Sequence, residues 1–470
     1  MLESAGHEPV TTPPSFHFIG ICGTAMGAVA AAMKRRGYRV TGSDQKVYPP
    51  MSTFLESEGV ELIAGFSPEN IPADTDYVVV GNAMSRGNPE VESVLERKLR
   101  YLSLPETLKE FFLRGKRNFV VTGTHGKTTT TSMVTWLFEN AGRDPSYMIG
   151  GIPRNLSTGA RFNGGDFVVL EGDEYDTAFF DKRSKFHHYL PEAVAINNIE
   201  FDHADIYNSL DEIKLSFRRL LNLVPRNGIA VINGDDANCL DVASGAPAPV
   251  ETVGFAESCD HRIVDVDYRS GSSAFTLDGE RYEVPMDGEF NVRNAAVAVV
   301  LARFGGLSPD EVHAGLASFR GIARRQEVRG VVNGVTVIDD FAHHPTAVAL
   351  AIKSMRQRYP DGRIWAVFEP RSNSTRRKVF QQPLCAALQG ADQVVVSEIE
   401  DATKIPVNDR LDAAQLVDDI AAAGTDAALL PDVDSIVAYI AEDSQPNDVV
   451  LVLSNGGFGG IHQKLLDALA

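Results

Sequence analysis

At 470 residues, with 44% hydrophobic and 23% charged positions, the chain has an ordinary globular composition and is too long for one hydrophobic core. At about 100–200 residues per domain, three domains are expected. A formal net charge of −19 excludes a broad nucleic-acid surface, where Lys and Arg must neutralise phosphates, but leaves room for a small anionic substrate held by local cations. No run of about 18 apolar residues offers a membrane span, and the first residues, with Glu3 and Glu8 and no apolar centre, do not read as a secretory signal. The four cysteines (Cys22, Cys239, Cys259, Cys385) lie far apart without metal-type spacing, so a cytoplasmic chain with free buried thiols is expected.

Met1–Ser15 reads as a frayed leader. The strand at Phe16–Ile19 runs into Gly20-Ile21-Cys22-Gly23-Thr24-Ala25-Met26-Gly27 and an Ala-rich helix ending near Arg36; a second strand, Tyr38–Thr41, ends in Gly42-Ser43-Asp44. Glycines at a helix start, with an acid about 20 residues on, suit a pyrophosphate. A strict GxGxxG from Gly20 would need glycines where Cys22 and Ala25 stand, so NAD, another diphosphate ligand and a ligand-free turn all stay open on spacing alone. A buried strand at Tyr77–Val80 and a helix at Pro89–Arg97 follow, Pro105-Glu106-Thr107 marks a boundary, and a helix at Leu108–Arg114 leads out.

The second unit opens on the apolar run Phe119–Val121, then Thr122-Gly123-Thr124-His125-Gly126-Lys127-Thr128-Thr129 and a helical segment to Glu139. Strand, glycine-bracketed loop and helix make a phosphate cradle: backbone N–H groups turn inward, Lys127 reaches the outer phosphates and Thr128 offers a hydroxyl to Mg²⁺. Val121 stands where GxxxxGK[ST] wants its first Gly, so the loop is a shortened variant. The buried run Phe167–Leu170 ends in Glu171-Gly172-Asp173-Glu174-Tyr175-Asp176, an acidic cluster placed for a metal. Val194–Ile196 ends in Asn197-Asn198 and then Asp202-His203, where His203 reads as a hard-cation ligand, a phosphate-orienting group or a structural histidine. After a helix at Leu210–Leu223 and a strand at Ile229–Asn233, Val250–Val284 reads as antiparallel hairpins with turns at Gly271 and Asp278-Gly279. Asn291 and Asn294 share a face at the start of the next helix, as caps or as ligand contacts.

The third unit opens near Gly321, with Arg324-Arg325 and a hairpin around Asn333-Gly334. Its strands end in Asp339-Asp340, in Glu369-Pro370-Arg371-Ser372-Asn373 and in Ser454-Asn455-Gly456. Arg371, Arg376 and Arg377 gather positive charge in an acidic chain, suited to a carboxylate or phosphate or to a plain basic face. The fold class is therefore α/β in three domains, 1–106, 107–320 and 321–470: a Rossmann-like sheet, a P-loop sheet with a small antiparallel part, and a second Rossmann-like unit.

In this order, the glycine-rich βα unit, TGTHGKTTT, EGDEYD, NNIEFDH, NVRNAA, ARRQE and DDFAHHPT resemble the Mur ligase family over residues 16–346 without a major gap. The resemblance implies ATP- and Mg²⁺-dependent ligation of an amino acid or peptide to a UDP-N-acetylmuramate substrate through an acyl phosphate. The segments HFIGICGTAMG, TAFFDKRSKF, FEPRSNS and SNGGFGGIHQKLL are similar to members that attach L-alanyl-γ-D-glutamyl-meso-diaminopimelate during peptidoglycan recycling; members that attach L-alanine in de novo synthesis are the runner-up. The resemblance further implies catalytic roles for Lys127, Glu171 and His203, and metal ligation by Thr128, Glu171 and His203. ATP would lie against Gly123, Thr124, His125, Gly126, Lys127, Thr128 and Thr129, with Asn291, Asn294, Arg325 and Asp340. The UDP-sugar, rather than NAD, would lie at Gly20, Gly23, Gly27, Ser43 and Asp44, and the peptide near Arg371 and Asn373. Arg218 stands where several members carry a carbamylated lysine, so no carbamate is expected. No nucleic acid, membrane or obligate protein partner is indicated.

Overall fold

The structure, a computed structural model, describes residues 13–204, 206–399, 403 and 405–470. The expected leader lies outside the described residues through position 12. Its last residue, Ser15, is already strand, because Asp76 accepts hydrogen bonds from its backbone N–H at 2.8 Å and its hydroxyl at 2.9 Å. Strands β1 (Ser15–Ile19), β2 (Arg39–Asp44), β3 (Glu61–Ala64), β4 (Tyr77–Val80) and β5 (Tyr101–Ser103) form a parallel sheet in the order 3-2-1-4-5. The order reverses beside β1, so a crevice opens at the carboxyl ends of β1 and β4, where Gly20 and Gly81 stand. β2 runs further than Thr41, taking Ser43 and Asp44 into the sheet, because Gly20 and Ile21 donate their N–H groups to the Ser43 carbonyl.

The second sheet takes β6 (Arg117–Thr122), β7 (Ser146–Met148), β8 (Ala160–Arg161), β9 (Phe167–Glu171), β12 (Ala193–Ile196), β13 (Ile229–Asn233), β14 (Val250–Gly254), β15 (His261–Arg269), β16 (Ser272–Leu277) and β17 (Glu280–Val284), in the order 17-16-15-14-13-12-6-9-7-8. The strands β6, β9, β12 and β13 are near-continuous apolar runs because helices cover the sheet. A separate hairpin, β10 (Asp176–Ala178) and β11 (Asp181–Ser184), follows β9. The antiparallel expectation for Val250–Val284 holds from β15 onward, but β14 runs parallel to β13 and extends the main sheet. β18 (Glu327–Val332), β19 (Val335–Asp340), β20 (Ile364–Phe368), β21 (Gln393–Ser397), β22 (Asp426–Leu430) and β23 (Val449–Leu453) form the third sheet, order 18-19-23-20-21-22, parallel except for the β18–β19 hairpin.

The expected helix at Leu108–Arg114 begins earlier, at Leu104, and widens into a π-helical turn over Lys109–Leu113. That turn lets neighbouring aromatics face two sheets: Phe111 meets Phe16, Tyr38 and Tyr77 of the first, while Phe112 meets Phe162 of the second at 4.7 Å between ring centroids. One buried cluster therefore runs from Phe16 and Val29 through Leu108 and Phe112 to Val120 and Phe217. The third sheet keeps its own clusters on its two faces. Among the described residues no helix is long and apolar enough to cross a membrane.

Candidate functional site

The carboxyl ends of all three parallel sheets face one cavity of about 1240 Å³. Gly20, Gly23 and Gly81 line it from the first sheet, Gly126, Lys127, Thr128, Glu171 and His203 from the second, and Arg325, Asp340 and Ser374 from the third.

The loop after β6 is built by glycine geometry. Gly123 and Gly126 have φ of 120° and 80°, open to a residue without a β-carbon. A β-carbon on Gly126 would stand 2.5 Å from Asn294 Oδ1 and 2.8 Å from Asn197 Nδ2, so the two asparagines set the loop's height. Asn198 fixes its path: Oδ1 accepts from His125 N–H at 2.7 Å and Nδ2 donates to the His125 carbonyl at 3.2 Å. Gly126 caps the helix Lys127–Asn140, leaving that helix's first N–H groups aimed at the cavity. Thr129 is buried in its first turn.

Lys127 Nζ donates to the Gly123 carbonyl at 2.6 Å and lies 3.0 Å from Glu174 Oε2. Burial alone would lower its ammonium; Glu174, Asp173 and Glu171 outweigh that and hold it above its ordinary value. Glu171 accepts from the Thr128 hydroxyl at 2.9 Å and from Gly150 N–H at 2.7 Å, and burial pushes its carboxyl up despite the Lys127 charge. Burial acts on Asp173 too, but Lys185, 2.8 Å away, and Lys127 carry it below the carboxylate range. His203 adopts φ 53°, its N–H held by Asp202 Oδ1 at 2.7 Å, and its Nε2 lies 3.9 Å from both Glu174 and Asp202. Loop lysine, hydroxyl, carboxylates and imidazole thus stand along one wall.

The asparagines Asn291 and Asn294 do not cap their helix. Gly288 is the cap, Asn291 Nδ2 donates to the Asp287 carbonyl at 2.7 Å, and both residues line the cavity. Across from them, Asp340 accepts from the N–H groups of Gln326 (2.9 Å) and Ala342 (2.7 Å), with its carboxyl raised by burial. Arg325 lies over the Phe341 ring at 4.8 Å, its guanidinium lowered by burial, which Asp340 and Glu171 only partly offset. Arg324 and Gln326, on either side of it, hold left-handed φ of 62° and 50°.

In the first sheet Gly20 (φ 82°) and Gly23 line the cavity, but Gly27, Ser43 and Asp44 do not. Gly27 admits Met51, whose Sδ would stand 2.5 Å from an added β-carbon. Ser43 is fully buried and donates its hydroxyl to buried Glu90. Asp44 turns inward to accept Cys22 N–H at 2.9 Å. The period-2 pattern of a strand that continued past its expected end would have turned Ser43 into the core. On the loop after β20, Arg371 lies beside Glu369 (3.3 Å) and Asn373 accepts from Arg376 (3.1 Å), while the alternate residues Ser372 and Ser374 line the cavity. Lys214 and Arg218 both pair with Asp241, at 3.2 and 2.9 Å. Sequence reasoning missed Glu174 as the partner of Lys127, and Lys185 and Thr177 as lining residues; only their position after a buried strand hinted at them.

Three family models match the chain: "Mur ligase family, catalytic domain" over residues 15–116, "Mur ligase middle domain" over 121–302 and "Mur ligase, glutamate ligase domain" over 324–456. The chain is 43% identical over 459 residues to a UDP-N-acetylmuramate–L-alanyl-γ-D-glutamyl-meso-2,6-diaminoheptandioate ligase of Escherichia coli (strain K12), covering 97% of this chain and 98% of that one. It is 34% identical to a UDP-N-acetylmuramate–L-alanine ligase of Dinoroseobacter shibae, over 97% of each chain. A crystal structure of a murein peptide ligase from Psychrobacter arcticus superposes with a TM-score of 0.69 at 35% identity, covering 97% of this chain and 98% of that one.

Proposed function

The chain belongs to the Mur ligase family, and from that premise we propose that it joins L-alanyl-γ-D-glutamyl-meso-diaminopimelate to UDP-N-acetylmuramate with cleavage of ATP. One observation carries the reading: the phosphate loop, its Lys127 and Glu171 share a single cavity with the glycine turn of the first sheet and with Arg325 and Asp340 of the third. Such a cavity brings a nucleotide, a nucleotide sugar and an amine together. The tripeptide is preferred over L-alanine as acceptor because the relative named for the tripeptide stands at 43% identity and the one named for L-alanine at 34%.

The family's chemistry proceeds in two displacements. The lactyl carboxylate of UDP-N-acetylmuramate attacks the γ-phosphorus of ATP and ADP leaves; the terminal amine of the peptide then attacks the acyl carbon, and phosphate leaves as the C–N bond forms. Here Lys127 would exchange the Gly123 carbonyl and Glu174 for phosphate oxygens, and the N–H groups of Gly123–Thr129 would cradle the chain of phosphates. Thr128 and Glu171 fit Mg²⁺: they are hard oxygen donors 2.9 Å apart, and the half-buried Glu171 carboxylate accepts hydrogen bonds from two neutral groups, the Thr128 hydroxyl and the Gly150 N–H. Bound there, the ion would neutralise charge on the transferred phosphoryl group. His203, beside Glu174 and Asp202, would serve a second cation near the substrate carboxylate. Asn291 and Asn294 would contact the nucleotide, and Arg325 and Asp340 would complete its site from the third sheet and exclude water from the acyl phosphate.

Gly20 and Gly23 would face the UDP diphosphate, with Gly27, Ser43 and Asp44 supporting that turn from behind. Ser372 and Ser374 would meet the peptide, with Arg371 and Asn373 on the same loop. On this reading the divisions near 106 and 320 would separate these three binding roles, and substrates such as ATP and a nucleotide sugar would favour work in the cytoplasm. Ligation assayed with ATP, Mg²⁺ and UDP-N-acetylmuramate should run faster with the tripeptide than with L-alanine; the reverse preference would overturn the choice of acceptor. Lys127→Ala should lower the rate by about 10³-fold or more.

A further inference from the structure

Three side chains that the proposed ligation does not use chemically meet where the phosphate loop touches the third sheet unit. His125 comes from the loop after β6, Glu200 from the segment after β12 and His344 from the turn that begins the helix Pro345–Arg358. Their ligating atoms all lie within 4.8 Å of one another. Glu200 Oε2 stands 3.6 Å from His125 Nε2 and 3.6 Å from His344 Nδ1. Zinc bonds of about 2.0–2.1 Å at a tetrahedral angle place two donors about 3.4 Å apart, so these separations already approach a common coordination sphere.

The surroundings orient each donor. Thr346 donates its hydroxyl to Glu200 Oε2 at 2.6 Å, and Thr124 Oγ1 accepts from Glu200 N–H at 2.9 Å, fixing the carboxylate from both ends of its residue. His344 Nε2 lies 3.3 Å from the Phe201 carbonyl, which can only accept; the proton therefore sits on Nε2, and Nδ1 keeps its lone pair. Nδ1 also receives a long bond from Thr346 N–H at 3.3 Å, which a metal would displace. Burial, reinforced by the nearby His125, lowers the His344 imidazole to about 4. His125 Nε2 is buried with no hydrogen-bond partner, although Asn198 pins its backbone on both sides. An orphaned imidazole nitrogen, a second lone pair and a held carboxylate form an incomplete polar site.

We infer that His125, Glu200 and His344 bind a zinc-type divalent transition metal that fastens the third sheet unit to the phosphate loop. Two imidazoles and one carboxylate select zinc over magnesium, which favours an all-oxygen shell. No fourth His, Cys, Asp or Glu joins the three among the described residues, which leaves one coordination position for water or an anion.

The test is titration of the metal-stripped full-length chain with Co²⁺ in excess Mg²⁺ and without nucleotide, a readout that needs no ligase activity. One equivalent should give the intense visible bands of four-coordinate cobalt, and one equivalent of Zn²⁺ should abolish them. Glu200→Gln and His344→Ala, each checked for folding by circular dichroism, should weaken Co²⁺ binding at least about 10-fold, while His203→Ala keeps the bands. Absence of four-coordinate bands overturns the assignment, as does their survival in a folded Glu200→Gln or His344→Ala chain or their loss in His203→Ala. Glu200→Gln keeps an oxygen for Thr346, so it tests the site even if His344→Ala does not fold.

Discussion

The first and second sheets meet across hydrocarbon, the second and third across charge. In the first contact, Phe111 and Phe112 interlock with rings on both sides, Arg36 lies over the Phe112 ring at 4.0 Å, and one buried cluster crosses the boundary. In the second, the connections include Arg154 with Glu327 (2.8 Å), Arg358 with Asp287 (3.2 Å), Lys353 with Glu289 (3.2 Å) and Thr346 with Glu200 (2.6 Å), beside the contacts of His344. No buried apolar cluster passes from the second sheet into the third among the described residues. Apolar burial is lost all at once when surfaces part, whereas the solvent-facing pair of Lys353 and Glu289 exchanges its contact for water at small net cost, and only Asp287 of these ion pairs is deeply buried. The first two sheets should therefore behave as one body, and the third should part from it more readily, above all where His125, Glu200 and His344 hold no metal.

The contrast can be broken most forcefully at the aromatic seam. Phe112→Ala should cost about 3–5 kcal/mol and lower the denaturation midpoint of the first two units together in calorimetry; a loss under about 1 kcal/mol would mean that the seam is not a core. Next in size, Arg325→Ala should lower the ligation rate by about 10²-fold or more while melting near the parent, because the contact it completes is catalytic and polar. A comparable loss in thermal stability would remove the distinction between the two boundaries. Raising salt from 0.1 to 1 M shortens the screening length from about 10 to 3 Å, so hydrogen exchange across the second boundary should quicken and exchange along Leu104–Leu113 should not. The smallest effect belongs to Lys353→Ala, an exposed pair, at about 0–1 kcal/mol, detectable only in a double-mutant cycle with Glu289.

Much of this was legible in the sequence where periodicity and turn chemistry act alone. β6, its glycine loop and the acidic end of β9 follow from apolar runs broken by Gly and Glu, and Thr128 does reach Glu171 across that loop, whereas Lys127 pairs with Glu174, past that acid in a turn that periodicity does not describe. Pairing direction was not legible: β14 carries no signal that separates a parallel partner from an antiparallel one, and only the turns at Gly271 and Gly279 announced hairpins. Facing was legible only where a strand's end was. The extension of β2 by three residues turned Ser43 to Glu90 and Asp44 to the Cys22 amide. The meeting of His125, Glu200 and His344 joins segments up to 219 positions apart, and no local pattern encodes such a distance.

The left-handed residues on either side of Arg325 have a mechanical meaning. Arg324 and Gln326 carry β-carbons in a conformation that costs roughly 1–2 kcal/mol each. They are held there by neighbours in the third unit: Arg324 donates to the Ser454 carbonyl at 2.9 Å and reaches Asp339 at 3.2 Å, and Gln326 N–H is fixed by Asp340 at 2.9 Å. The connection between the second and third sheets thus holds backbone strain that bonds within the third unit maintain. Were those bonds lost, both residues should relax toward extended backbone and Arg325 between them should leave its place over the Phe341 ring, so the two backbone angles that set this arginine also set the ease with which it is withdrawn.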